Sequence, residues 1–338
     1  MNNIKVNIIG GSISGLSAAI SIREKSNKID VIVHEKHKKI GYNHEGRRCG
    51  EAHSIEPEWN KWIPAGKSIF NEIKKAEIYI GNKKHVINRK PGTGYILNRQ
   101  EFICQLARKA ETLGATIQTN DKIKSVNDLD GDFIIDASGC PSSLKKELGF
   151  KHRSIGPSYQ QTLEESDSFI SDTLKIIFHK PFGYFWIFPR NPEIKEINVG
   201  LGFFGKSNYN LKKMLEDFKD EQKIGGKVNY VTGGIIPFGL QKPLEYNNIL
   251  FVGDAGVGTF PLSGQGIYRA LISGDVAGRC IVFDYPHRYS RIMNKYFTRR
   301  DLVSKTLLNF NYFLWKINPD LILGPLNSFM LYNRLEHI

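Results

Sequence analysis

The sequence predicts an α/β fold in which a parallel-sheet, dinucleotide-binding domain is interrupted by an antiparallel-sheet domain and followed by a short helical C-terminal region. Three observations carry this expectation. An apolar run at residues 5–9 leads into Gly10-Gly11-Ser12-Ile13-Ser14-Gly15. A second apolar run, about twenty residues on, closes with Glu35. Between residues 151 and 243, short β-rich segments follow one another with a single helical pattern among them, the spacing of antiparallel strands rather than of further βαβ units.

Taken in order, residues 5–9 read as a buried parallel strand. Gly10 allows the tight turn out of it, and Gly15 lets the helix over 16–24 pack close to the sheet. The N-terminus of that helix offers free N–H groups to a pyrophosphate. Ser12 stands where the usual motif has its middle glycine, and its small side chain still permits close backbone approach. Residues 30–33 form the second strand, after which Glu35 can accept hydrogen bonds from ribose hydroxyls. Ile96-Leu97-Asn98-Arg99 precedes a helix over 100–113, and residues 133–139 are a strand ending in a glycine turn. A last strand at 248–252 runs into Gly253-Asp254-Ala255, where Asp254 can bind the hydroxyls of a ribityl chain. Gly264-Gln265-Gly266-Ile267 then opens a helix of small residues, whose dipole can stabilise an anionic reduced flavin. These scattered segments fit one FAD site. Its expected cofactor-binding set is Gly10, Ser12, Gly15, Glu35, Arg48, Cys49, Gly50, Ala52, Arg99, Ile123, Asp254, Gly264, Gln265, Gly266 and Ile267. The guanidinium forks of Arg48 and Arg99 suit phosphate or ribityl oxygens.

The FAD domain is expected to be discontinuous, over 1–54, 94–150 and 244–283. Two inserts, 55–93 and 151–243, build the second domain, with 284–338 as the C-terminal helical region. The first insert reads as a hairpin around Gly81-Asn82. The second holds strands near 173–179, 184–189, 198–203 and 228–232, and a helix near 211–221. Tyr184, Trp186 and Phe188 share one face of their strand, and Phe185 and Ile187 the other. The first face can line an apolar substrate pocket.

On these segments the chain resembles the p-hydroxybenzoate hydroxylase-like flavoproteins over most of residues 1–285. Arg47-Arg48-Cys49-Gly50-Glu51 resembles the Arg-Cys-Gly-Glu segment of the geranylgeranyl reductase family. Tyr184-Phe185-Trp186-Ile187-Phe188-Pro189, followed by Gly200-Leu201-Gly202, resembles that family's Tyr-x-Trp-x-Phe-Pro … Gly-x-Gly motif, with a longer spacer. The resemblance implies a Rossmann-like FAD-binding domain whose inserted sheet roofs the flavin. It further implies an FAD-dependent reductase that saturates isolated double bonds of isoprenoid lipids. Cys49 is the candidate catalytic residue, lying beside the flavin, with Glu51 and His53 as further proton-donor candidates. Tyr184, Trp186 and Phe188 are the candidate substrate-binding residues. Electrons would come from an external donor: a ferredoxin, a reduced deazaflavin or NAD(P)H. One rival is a flavin monooxygenase or halogenase on the same fold, although a halogenase is expected to show Trp-x-Trp-x-Ile-Pro. The other is a non-enzymatic flavin-loaded lipid-binding or electron-carrying protein.

Composition narrows the classes. The chain has 338 residues, 41% of them hydrophobic and 24% charged, as in ordinary globular proteins. No apolar run has the eighteen or so residues needed to span a bilayer, and no secretory signal is seen, so a cytoplasmic protein is expected. The four cysteines lack Cys-x-x-Cys spacing, which suggests neither zinc nor a disulfide framework. Net charge is +13, but no nucleic-acid module accompanies it. From Pro286 to Ile338 there are eight Lys or Arg against three Asp or Glu. Arg288, Arg291, Lys295 and Arg299 fall at helical spacing as a basic stripe, and Tyr289, Ile292, Met293, Tyr296 and Phe297 as an apolar one. That pattern is expected either of a helix packed on the FAD domain or of peripheral contact with an anionic membrane.

Overall fold

A computed structural model describes residues 4–42, 50–55, 62–81, 83–179, 183–205 and 208–317. In chain order its elements are β1 (Ile4–Ile9), α1 (Ile13–Lys25), β2 (Ile29–Glu35), β3 (Ala52–Ser54), β4 (Ile69–Glu72), β5 (Lys75–Ile80), β6 (Lys83–Asn88), β7 (Gly94–Leu97), α2 (Arg99–Thr112), β8 (Thr116–Thr119), β9 (Phe133–Asp136) and α3 (Ser143–Glu147). There follow β10 (Ile155–Glu164), β11 (Thr173–His179), β12 (Gly183–Pro189), β13 (Ile197–Phe203), α4 (Leu211–Glu221), β14 (Lys227–Pro237), β15 (Glu245–Tyr246), β16 (Ile249–Phe251), α5 (Gly253–Gly256), α6 (Ile267–Val282) and α7 (Tyr289–Ile317).

The chain divides into two compact units. The first comprises residues 1–46, 99–154 and 236–301, and the second 47–98, 155–235 and 302–338. The first unit is built on a six-stranded sheet in the order β15-β16-β9-β1-β2-β8. It is parallel except for β15, a two-residue edge strand antiparallel to β16. β1 lies between β2 and β9, and Val6 and Ile8 are fully buried, as a strand with covered faces requires. The tips of β1, β9 and β16 are held level. Ala137 N–H donates to the Ile9 carbonyl at 2.9 Å, and Val252 N–H to that of Asp136 at 3.0 Å. The loops that leave these strands therefore meet along one sheet edge.

On that sheet α1 and α6 approach to backbone contact. A Cβ on Gly274 would lie 2.1 Å from the Ser14 carbonyl oxygen, and one on Gly278 2.8 Å from that of Ala18. Two hydroxyls on α1 reach across, Ser17 to the Leu271 carbonyl at 2.7 Å and Ser21 to that of Asp275 at 3.0 Å. The small-residue character of both helices is thus a packing requirement.

The second unit contains a seven-stranded sheet in the order β14-β10-β13-β12-β11-β5-β6 and a three-stranded sheet, β3-β7-β4. The larger sheet is not purely antiparallel as expected: β5 and β11 run parallel, from Thr173 opposite Lys75 to Phe178 opposite Ile80. The two strands come from different inserts, so no hairpin obliges them to run antiparallel. The expected hairpin is β5–β6. The structure adds β10, β3, β4 and β7, which the sequence reading left unassigned.

α7 does more than form a separate tail. Tyr289, Met293 and Phe297 are buried, whereas Arg288, Arg291, Lys295 and Arg299 are exposed. The Tyr289 hydroxyl donates to the Phe251 carbonyl at 2.8 Å. The first half of α7 thereby belongs to the first unit.

Gly274→Ala is expected to lower folding stability by about 1–3 kcal/mol through overpacking, measured from the urea midpoint. An unchanged midpoint would mean that α1 and α6 can separate at no cost.

Candidate FAD site and aromatic face

At the edge of the first unit, Gly10 has φ +104°, and a Cβ there would sit 2.6 Å from the Ala137 carbonyl oxygen. A Cβ on Gly15 would lie 2.2 Å from the Gly10 carbonyl oxygen. Both positions exclude any side chain. Ser12, in place of the motif's glycine, has a task of its own: its hydroxyl accepts from Gly15 N–H at 3.3 Å and donates to the Ala137 carbonyl at 3.1 Å. It caps α1 and ties the turn to the end of β9. Glu35 is buried. Its Oε2 accepts from Gly11 N–H at 2.9 Å, and its Oε1 from His37 N–H at 2.9 Å with His37 Nδ1 at 2.6 Å. A carboxylate has about four lone-pair positions, so a ribose hydroxyl can still bond to it.

The turn after β9 is held from behind. Asp136 accepts from Ser138 N–H at 2.9 Å and from the Ser142 hydroxyl at 2.5 Å, and burial raises its carboxyl above the ordinary range. Lys145, pushed down to about 8 by burial, donates to the Gln241 carbonyl and sits 4.6 Å from the centroid of the Phe251 ring.

Gly253, with φ +55°, packs so closely that a Cβ would meet Ser14 Oγ at 2.4 Å. This sets Asp254 beside the start of α1. Burial pushes the Asp254 carboxyl up, against the opposing pull of Arg99 and then Arg269. Among the described residues no hydrogen bond engages that carboxylate, and Gly266 lies alongside it. α6 begins after Gly266 with no side-chain cap, which leaves its first N–H groups for a ligand. Gly264, Gln265 and Ile267 are half-buried there, and Arg99 opens α2. An unsatisfied carboxylate, two helix N-termini and two turns that tolerate no Cβ fit a flavin adenine dinucleotide. Ile123 sits a step away, packed against the cluster of Ile9, Ile134 and Phe251. Arg48 and Cys49 lie outside the described residues.

In the second unit the structure explains the aromatic motif. Tyr184 stands opposite Gly202, and Trp186 opposite Gly200. A Cβ on Gly200 would be 2.3 Å from the indole, so the ring lies flat across the glycine. A Cβ on Gly50 would likewise meet the Phe188 ring at 2.8 Å. The indole N–H donates to Gln160 Oε1 at 3.0 Å. The other face of β12 packs on α4, with Phe185 and Phe218 stacked at 4.0 Å. Tyr184, Trp186 and Phe188 form a cluster with Ile73, Ile96 and the partly buried Ala52, and none of the three rings is more than 9% exposed.

Glu51 has a different setting from that of a proton donor. It has φ +65°, and its Oε2 accepts from Arg190 Nε at 2.6 Å and from Asn198 Nδ2 at 3.3 Å. Arg190 also pairs with Glu196 and lies over the Phe70 ring, 4.3 Å from its centroid. Glu196 sits in the long spacer between the two halves of the motif, so the spacer supplies a buried ion-pair partner. His53 is pushed down to about 4 by burial and then by the charge of Arg89, which leaves it neutral at physiological pH. Sequence reasoning missed Arg190, Asn198 and Gln160. Each has a partner far along the chain, and no local signal marks them.

The fold is that of solved flavoproteins with a Rossmann-like cofactor unit. Residues 155–235 match the family model described as the geranylgeranyl reductase catalytic domain. A digeranylgeranylglycerophospholipid reductase of Thermoplasma acidophilum is 27% identical over 314 residues, covering 82% of this chain and 78% of that one. In fold, a geranylgeranyl bacteriochlorophyll reductase-like protein of the same organism superposes with a TM-score of 0.77 at 24% identity, over 90% of this chain and 87% of that one. The protein CtdE, solved in complex with FAD and a substrate, gives 0.65 at 16% identity, over 90% and 89%. Among the described residues no group of His, Cys, Asp and Glu could hold a metal ion, and no helix is long and apolar enough to cross a membrane.

Asp254→Ala is expected to weaken FAD binding by roughly 10- to 100-fold, the loss of about 1.5–3 kcal/mol from a hydrogen bond to a charged group. Titration of apoprotein with FAD measures it, and an unchanged dissociation constant removes Asp254 from the site. His53 gives a pH dependence. Its folded value lies below its unfolded one, so the unfolded state binds the proton first. Stability is therefore lost as pH falls from about 6.5 to about 4, by up to roughly 3 kcal/mol. His53→Gln should flatten that slope in acid denaturation.

Proposed function

We propose that this protein is an FAD-dependent reductase that saturates isolated C=C bonds of geranylgeranyl-type chains on membrane lipids or their precursors. The observation that carries the reading is the aromatic strand facing a glycine strand within the matched residues 155–235. Reduced FAD supplies the hydride. The chain's own part is to bind, orient and keep water out. An unactivated alkene is a poor hydride acceptor, so positioning in an apolar site must supply much of the rate. The prenyl chain is assigned to the side of β12 that carries the apolar cluster of Tyr184, Trp186 and Phe188. Cys49, a neighbouring group or water completes the saturation with a proton. The electron donor is external: a ferredoxin, a reduced deazaflavin or NAD(P)H. The test is anaerobic. Protein reduced chemically should reoxidise on addition of a geranylgeranyl lipid, with product heavier by two mass units per bond. Trp186→Ala should turn over at least roughly tenfold more slowly with FAD still bound. Hydroxylated product, formed only in air, would replace this reading with a monooxygenase.

We further propose peripheral contact with anionic membranes through α7. The exposed Arg288, Arg291, Lys295 and Arg299, at spacings of three and four, continue into exposed Leu302 and, two turns further on, Phe310, Phe313 and Ile317. Basic and apolar groups thus follow each other along one helix face, which suits headgroups and acyl chains respectively. Binding to anionic vesicles should exceed binding to neutral ones and fall with salt, as screening shortens the attraction to about 8 Å at physiological ionic strength. Equal binding to both vesicle types would exclude this contact.

A further inference from the structure

Arg269 is the largest fully buried side chain among the described residues, and the reaction assigns it no role. It lies on α6, three residues beyond Gly266, in the segment assigned above to the flavin. Its NH1 donates to Asp301 Oδ1 at 2.5 Å, and its NH2 donates to Asp301 Oδ2 at 3.1 Å and to the Val257 carbonyl at 2.6 Å. The guanidinium lies between two rings, 4.8 Å from the centroid of Phe260 and 4.2 Å from that of Phe297. Phe260 belongs to the loop itself: its N–H donates to the Gln265 carbonyl at 3.0 Å, and its carbonyl accepts from Gly264 N–H at 2.8 Å. Asp301 lies on α7 and takes a third donor, Leu240 N–H at 2.9 Å.

The two ends of this arrangement differ in kind. On one side stands the Val257–Ile267 loop, with its fork contact, its ring contact and the free N–H groups of α6. On the other stands α7, held to the first unit by Tyr289, by the Ser290 N–H bond to Glu245 at 2.8 Å, by buried Met293 and Phe297, and by Asp301. A fork that is bidentate to one and bonded to the carbonyl of the other admits little relative movement.

We propose that Arg269 and Asp301 are positioning residues that couple the flavin loop to helix α7, so that FAD binding and docking of α7 favour each other. The proposal rests on the assignment of residues 253–267 to FAD. Linkage makes the coupling reciprocal: what FAD gains from docked α7, docked α7 gains from FAD. It also predicts a signature. Removing one partner leaves a buried charge uncompensated, whereas replacing both removes the penalty together with the tether.

Two measurements on the full chain test this. Hydrogen exchange of the unmodified protein, with and without FAD, should show FAD slowing the amides of residues 289–301 as well as those of 257–267. FAD titration of apoprotein should show Asp301→Asn weakened at least roughly tenfold, with Arg269→Met/Asp301→Leu regaining part of that loss. In the double variant FAD should no longer slow exchange in 289–301. Exposed Thr298→Ala on the same helix is the control and should bind FAD as the unmodified protein does. Exchange in 289–301 that ignores FAD overturns the coupling, even if no variant folds. Asp301→Asn with unaltered FAD affinity does the same. Failure of the unmodified protein to bind FAD would instead remove the assignment on which the proposal rests.

Discussion

The close approach of α1 and α6 is the constraint on which the cofactor unit depends. It joins residues near the start of the chain to residues some 250 positions later. Packing to backbone contact leaves room for small residues alone, so Gly274 and Gly278 face Ser14, Ser17, Ala18 and Ser21. Once the two helices are in register, their N-termini open on the same sheet edge. Gly253 then fits against Ser14, and Asp254 arrives beside Gly266 at the start of α6. That distant segments meet at one sheet edge is thus a consequence of how two helices pack.

Each unit also encloses a buried arginine that meets a carboxylate and an aromatic ring: Arg190 in the second and Arg269 in the first. Such pairs contribute little net stability, because desolvation offsets most of the attraction. Losing one partner, however, costs about 3–5 kcal/mol. Their effect is to specify geometry. Arg190 fixes the left-handed Glu51 and the hairpin that carries Glu196. Arg269 fixes the loop that leads into α6.

Departures from the expected motifs have physical readings. Ser12 replaces a glycine and adds a helix cap. The long spacer after Pro189 supplies Glu196 as a second carboxylate for Arg190. Glu51 and His53, both chemically suggestive in sequence, occupy a structural ion pair and a dry pocket that keeps the imidazole neutral. The aromatic run on β12 and the glycines on β13 are one feature seen from two strands, since each ring needs the absence of a side chain opposite it.

Local chemistry settled much of this protein in advance. The β1–turn–α1 unit, Glu35 at the end of β2, Asp254 after β16, the uncapped start of α6 and the alternation of Tyr184, Trp186 and Phe188 were legible because turn conformation, strand period and helix ends depend on near neighbours. Tertiary structure alone decided the parallel pairing of β5 with β11, the burial of Tyr289, Met293 and Phe297, and the partners of Glu51, Trp186 and Arg269. Those depend on which distant segments come to share a space. Burial and pairing energies arise only between groups that the completed fold has brought together, so no window along the sequence contains them.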